Sequence, residues 1–214
     1  MLIGSGLTGG ALLALFFLSG SILTFRKQHP TQHTGRSARQ VLANGMVAAL
    51  GSACLALGFD AGWPLICGGL AAAQADTWAT EVGLEAPYPP RLVTTFAQVP
   101  PGTSGAITLR GTMAGALGAA AMTALAVALG VDPPAALSGG LGGGIGFIAD
   151  SYLGATLQAS YYCRVCDTRT ESSTHSCGRS ARLESGLSWL DNDAVNVAST
   201  SIGGFAALAI HLAA

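Results

Sequence analysis

The chain has 214 residues, a formal net charge of −1 and a mean hydropathy of +0.49, with 10% of its residues charged against 50% hydrophobic. A soluble domain carries about a quarter charged residues and its helices need polar faces, so this composition excludes an ordinary soluble helical core and makes lipid the solvent. Near-neutral charge also removes any general case for nucleic-acid binding.

Six hydrophobic stretches approach the roughly 20 residues that cross a bilayer as a helix: residues 2–25, 41–59, 63–82, 112–131, 135–158 and 190–212. The expectation is an all-α, polytopic membrane bundle of about six transmembrane helices, forming one integral-membrane domain over residues 1–214. The many Gly and Ala residues predict close helix packing. The first stretch is expected to stay in the protein rather than be cleaved, since no Lys or Arg precedes it and it exceeds a signal-peptide core.

The basic residues fall after the first stretch (Arg26, Lys27, Arg36, Arg39), after the third (Arg91, Arg110) and after the fifth (Arg164, Arg169, Arg179, Arg182), whereas the other two connections carry only Asp60 and Asp132. By the positive-inside rule this predicts cytoplasmic odd-numbered loops and outward termini.

Polar residues then recur where lipid disfavours them. In the second stretch Asn44 lies in the first turn. The third ends in "AAAQADTWATEVG", where Asp76 pairs with Thr80 and Thr77 with Glu81 at helical spacing. Asp76 comes thirteen residues after Trp63, roughly 20 Å along the helix and in its cytoplasmic half. In the fifth, "GFIADSYLGATLQ" puts Asp150, Gly154 and Gln158 on one face. The sixth opens with "WLDNDAVN", bringing Asp191, Asp193 and Asn196 into its first turns. Intramembrane acids are a functional hypothesis by default, and no Lys or Arg lies inside the predicted spans to neutralise these. Hard oxygen ligands from Asp76, Glu81, Asp150, Asp191, Asp193 and Asn196 suit Mg²⁺, with Asp193 the first choice for a direct ligand. Helix–helix hydrogen bonding is the plainer alternative, and Asp191 is equally suited to capping the sixth helix.

The loop after the third stretch reads "VPPGTSGAITLRGTMAG". Its glycines and the hydroxyls of Thr103, Ser104 and Thr112, with the Gly105 backbone and Arg110, fit an anion site at a helix N-terminus. A turn followed by close helix packing fits the same residues, and the motif is no P-loop. Residues 159–188 form a predicted cytoplasmic loop, "YYCRVC…HSCG", in which Cys163, Cys166, His175 and Cys177 match a tetrahedral Zn²⁺ set. A redox CxxC and plain thiols are the competing readings, and a reducing compartment argues against disulfides.

The stretches "RSARQVLANG", "ADTWATEVG", "GTSGAITLRGT", "ADSYLGATLQ", "CRVC…HSCG" and "WLDNDAVN" run in order through almost the whole chain. On these the sequence resembles the membrane family called domain of unknown function 92, whose members include the animal transmembrane protein 19 and a plant phytyl-phosphate kinase. The sequence departs from it in a short segment before the first match and in a first loop, "FRKQHPTQHTGRSARQ", whose candidate phosphate contacts are Arg36 and Arg39. The resemblance implies phosphoryl transfer from a nucleoside triphosphate (CTP or ATP) to an isoprenyl monophosphate of phytyl or geranylgeranyl type, giving the diphosphate. Placement and chemistry then cast Asp76, Asp150 and Asp193 as the catalytic carboxylates, holding metal rather than taking a proton, because an acceptor phosphate is already ionised. Thr103, Ser104, Gly105, Arg110, Thr112, Arg36, Arg39 and Asn44 are the candidate phosphate and nucleotide contacts. The alternative is an ion- or proton-coupled transporter using the same buried carboxylates.

Overall fold

The computed structural model of the protein describes residues 2–25 and 38–214. Arg26, Lys27 and Arg36 lie outside the described residues, so the expectation for Arg36 is not addressed by the structure. Six helices carry the described chain: α1 (Leu2–Phe25), α2 (Ala38–Ala56), α3 (Gly62–Gly83), α4 (Leu109–Ala128), α5 (Pro133–Thr156) and α6 (Asn192–Ala213). Stretches over Ile3–Phe25, Leu109–Ala128 and Asn192–Ala213 are long and apolar enough to cross a membrane by length and composition.

The ends of the helices follow local chemistry. Helix α4 begins three residues before the predicted stretch because the Thr108 side chain accepts from the Gly111 N–H at 3.0 Å and caps it. Asp191 caps α6 in the same way, accepting from the Ala194 N–H at 2.9 Å. Helix α1 is interrupted at Gly6, whose φ of 58° only glycine adopts readily.

The surface is apolar and the interior is small. Leu18 on α1, Leu42 on α2, Leu117 on α4, Leu141 on α5 and Phe205 on α6 are all exposed. Helix α3, by contrast, exposes no large apolar side chain between Trp63 and Val82 and contacts each of the other five helices. It is the axis of the bundle. Its interior position explains a Gly- and Ala-rich sequence, since small residues let helix backbones approach where no hydrophobic force drives them together.

The closest approaches involve α3, α5 and α6. A Cβ built on Gly142 would sit 2.4 Å from the Ala207 nitrogen and 2.5 Å from the Gly203 carbonyl oxygen; one on Gly146 would sit 2.6 Å from the Ser199 oxygen and 2.8 Å from Ala72 Cβ. Polar ties join the remaining helices: Ser5 and Ser52 bond between α1 and α2, and Ser19 on α1 accepts from both Gln74 Nε2 (2.8 Å) and Trp78 Nε1 (3.1 Å) on α3.

Two small sheets, which the sequence reading did not anticipate, sit in the connections. Strands β1 (Arg91–Leu92) and β2 (Ala106–Ile107) pair antiparallel between α3 and α4. Strands β3 (Ser160–Cys163), β4 (Thr168–Thr170) and β5 (Arg182–Ser185) form an antiparallel sheet of order β4-β3-β5 between α5 and α6.

Gly142→Ala and Gly144→Ala separate packing from propensity. A Cβ at Gly144 meets nothing within 4 Å, so alanine there should stabilise by up to about 1 kcal/mol through helix propensity. At Gly142 it should destabilise by about 1–3 kcal/mol through overpacking. Thermal unfolding in detergent checks the pair, and equal shifts would contradict the backbone contact.

Candidate functional site

At one end of the bundle the last turns of α1, α3 and α5 meet the first turns of α2, α4 and α6 around a cavity of about 480 Å³. Asp76, Thr77, Thr80 and Glu81 enter it from α3, and Asp150, Ser151 and Gly154 from α5, with Gln158 just beyond. Asn44 comes from α2, Thr112 from α4, and Asn192 and Asn196 from α6. The 102–105 loop closes one side with Thr103, Ser104 and Gly105.

The Asp76 and Asp150 side chains lie within hydrogen-bonding reach of one another. Asp150 also accepts from the Ser199 hydroxyl at 2.8 Å. Two neighbouring carboxyl groups disfavour each other's charged form, which a shared proton or a nearby positive charge relieves. Glu81 accepts from the Thr24 hydroxyl at 2.8 Å, which ties α1 to the same end of α3.

Glu171 is the acid that sequence reasoning missed. It follows β4 in the connection between α5 and α6, lines the cavity, and accepts from Ser104 Oγ at 2.7 Å and Gln158 Nε2 at 3.1 Å. Nothing in its local sequence, "TRTESST", separates it from an ordinary exposed loop acid. Only the fold of the loop brings it in.

Asp191 and Asp193 sit elsewhere. Arg39, in the first turn of α2, reaches Asp191 at 2.6 Å and Asp193 at 3.0 Å, and neither aspartate lines the cavity. The helix boundary explains this pairing: α2 starts at Ala38, so Arg39 belongs to the helix end rather than to a free loop. Asn196, one turn deeper on α6, takes the position facing the cavity. Arg110 faces a second, apolar cavity of about 620 Å³ between α1, α3 and α4, walled by Ile22, Leu23, Trp78, Val82, Met113 and Leu117.

The 102–105 loop is shaped by packing as well as by its hydroxyls. Gly105 has φ 71°, and a Cβ there would sit 2.3 Å from the Ala155 nitrogen and 2.5 Å from the Ser151 oxygen, so the loop rests on the α5 backbone. Thr103 donates to the Pro100 carbonyl at 2.7 Å. At the start of α4 the Gly111 N–H is taken by Thr108 Oγ1 and the Thr112 N–H by the Thr108 carbonyl, so those two amides are not open to a ligand.

Beyond the cavity Cys163, Cys166, His175 and Cys177 place one donor atom each within 4.8 Å of one another. All three cysteines are free thiols. The backbone N–H groups of Cys166 and then Val165 hold the Cys163 thiol below its usual range. The Cys166 thiol is pushed up to about 11, first by its hydrogen bond to Cys177 and then by desolvation. Arg169 on β4 and Glu184 on β5 pair across the sheet at 2.6 Å, which keeps the Glu184 carboxyl below the ordinary carboxylate range.

Residues 1–204 match the family described as Integral membrane protein DUF92. The chain belongs to that family. It is 39% identical over 154 residues to an uncharacterized membrane protein of Methanocaldococcus jannaschii, a match covering 69% of this chain and 64% of the relative. It is 28% identical over 240 residues to Protein PGR of Arabidopsis thaliana, covering 94% of this chain and 81% of the relative. Over 135 residues it is 31% identical to Protein VTE6, chloroplastic, also of Arabidopsis thaliana, covering 63% of this chain and 33% of the relative. The chain thus spans less than two thirds of the first of these relatives and a third of the last. No solved structure matches it.

Arg39 and Asp191 give a direct test of the α6 entrance. Arg39→Ala removes a largely exposed ion pair and should cost no more than about 1 kcal/mol. Asp191→Ala removes that pair together with the helix cap, so it should cost about 1 kcal/mol more. Urea or thermal unfolding of both variants and the double mutant checks the order; an Arg39→Ala loss exceeding that of Asp191→Ala would contradict it.

Proposed function

We propose that this protein is a membrane-embedded kinase that transfers a phosphoryl group from a nucleoside triphosphate, CTP or ATP, to an isoprenyl monophosphate, giving the diphosphate. The observation that carries the reading is the Asp76–Asp150 contact at the inner end of a cavity rimmed with hydroxyl and amide side chains. The resemblance to a family with a phytyl-phosphate kinase among its members supplies the substrate class.

The donor set fits a hard divalent cation, since Asp76, Asp150 and Glu81 offer carboxylate oxygens and Asn44 and Asn196 amide oxygens around one space. Bound Mg²⁺ would neutralise phosphate charge during transfer. The remaining work belongs to the protein. Ser199 orients the Asp150 carboxylate by donating to it. Thr103, Ser104 and Thr112 surround the cavity with hydroxyls suited to phosphate oxygens. The acceptor phosphate is ionised at neutral pH and needs no general base, so positioning and charge compensation are what the site must supply. The apolar groove between α1, α3 and α4 suits a prenyl chain, with Arg110 on its wall to meet the headgroup.

In this reading all six helices cross the membrane, both termini face outward, and the cavity opens to the cytoplasm where the nucleotide is found. The one-sided distribution of Lys and Arg supports that orientation. A cysteine introduced beside Asp132 should label from outside, and one beside Arg91 only after permeabilisation. The reverse labelling would invert the active face.

Purified protein with labelled CTP or ATP and a panel of prenyl monophosphates tests the activity itself. Asp76→Asn and Asp150→Asn should each lower turnover roughly 10²-fold or more, equivalent to several kcal/mol of transition-state stabilisation, while the protein stays folded. Asp193→Asn, outside the cavity, should cost less, and Asp132→Ala little. Transfer at near-normal rates by both cavity variants would overturn the shared cation site and favour an ion pathway through the same carboxylates.

A further inference from the structure

Glu171 reaches the cavity on a segment with little apolar core of its own. Residues 171–174 are all exposed, and of the strand residues in the three-stranded sheet Cys163 alone is buried, with Ala181 buried just before β5. Units that cannot bury enough surface need a staple, either a disulfide or a metal. The thiols here are free.

Two tight turns face each other across this loop. The first runs from Cys163 to Cys166 and ends on Asp167, a non-glycine residue at φ 54°. The second runs from His175 to Cys177 and ends on Gly178 at φ 77°; the Gly178 N–H donates to the His175 carbonyl at 2.9 Å, and a bridge between Thr174 and Ser180 closes the turn. Each turn presents two soft donors to the same point. Zinc–sulfur bonds of about 2.3 Å at tetrahedral angles set sulfur–sulfur edges at about 3.8 Å, and Cys163 Sγ lies 3.8 Å from Cys177 Sγ. His175 Nδ1 lies 3.1 Å from Cys177 Sγ.

Glu171 falls between these turns, five residues after Cys166 and four before His175. Pinning both turns to one ion closes the intervening segment into a small loop, and closing it lowers the entropy lost when its tip docks. The tip carries the carboxylate that accepts from Ser104 and Gln158. We propose that Cys163, Cys166, His175 and Cys177 bind a structural Zn²⁺, and that this ion holds Glu171 over the cavity and so anchors the 102–105 loop through Ser104. The inference is independent of the transferred group, because it is read from metal content and loop protection.

The full-length protein, purified in detergent under reducing conditions without chelator, should hold about one zinc per chain. Cys166→Ser and Cys177→Ser should lose it, while Cys54→Ser should keep it. If the cysteine variants fail to fold, stripping the native protein with a mercurial and adding back Zn²⁺ or Co²⁺ replaces them; Co²⁺ should give the intense visible bands and thiolate charge transfer of a tetrahedral site. Hydrogen exchange should rise on stripping in both residues 167–174 and residues 101–106, and fall again with zinc. Glu171→Ala should retain zinc yet lose the protection of 101–106. Absence of zinc together with no Co²⁺ uptake, or a disulfide among Cys163, Cys166 and Cys177, would overturn the metal. Zinc bound with 101–106 unmoved by stripping would overturn the link through Glu171.

Discussion

The candidate site depends on how closely α3 and α5 run side by side. Their contact is a ladder of small residues. A Cβ on Gly139 would meet Cys67 Cβ at 2.3 Å, one on Gly143 would meet Ala71 Cβ at 2.4 Å, and one on Gly146 would meet Ala72 Cβ at 2.8 Å. One turn beyond the Ala72–Gly146 contact on both helices come Asp76 and Asp150. The two carboxyl groups therefore come within hydrogen-bonding reach, because four residues earlier there is no side chain on α5 to hold the helices apart. Position and chemistry have one cause.

That arrangement is unfavourable by itself, since adjacent carboxyl groups in a low-dielectric setting repel when both are charged. Such clusters persist where surrounding packing over-determines them. Here α6 adds the third wall: Gly142 and Gly146 rest on the α6 backbone at Gly203 and Ser199, and the Ser199 hydroxyl reaches Asp150. The same three-helix contact that fixes the carboxyl pair also aims Asn196 into the cavity. Arg39 meanwhile bridges Asp191 and Asp193 at the start of α6, so the two acid groups of this end differ in kind. One pair is bridged by a guanidinium, and the other lines the cavity.

Much of this was legible in the sequence, for identifiable reasons. Asp150 and Gly154 share a helical face by spacing alone, as do the polar residues of α3, whereas Gln158, expected on that face, lies past the end of α5 at Thr156 and still reaches the cavity. The Cys163, Cys166, His175 and Cys177 grouping is local, so spacing sufficed to bring the four together. Asp193 illustrates the limit. Helical spacing aligned it with Asn196, yet a side chain at the first turn of a helix can swing outward, and Arg39 was near enough to capture it. Glu171 was illegible because its position depends on a β-sheet whose strands are three to four residues long, too short for period-two patterning to register.

The roof and the floor of the cavity are thus built by different physics. The floor is helix backbone packed at contact distance, rigid because any added atom must displace a neighbour. The roof is made of two short-stranded connections joined by the Ser104–Glu171 hydrogen bond, with Gln158 bracing Glu171 from within its own connection. Local opening concentrates where apolar contacts are few, so the roof is the part of this site able to move. A cavity with fixed carboxylates below and a hydrogen-bonded cover above can admit a polar ligand without disturbing the helices. The Glu171 contacts tie the loop before α4 to the connection before α6 at the cavity wall, and under the zinc proposal the Cys/His turns on either side of Glu171 are what would hold that tie in place.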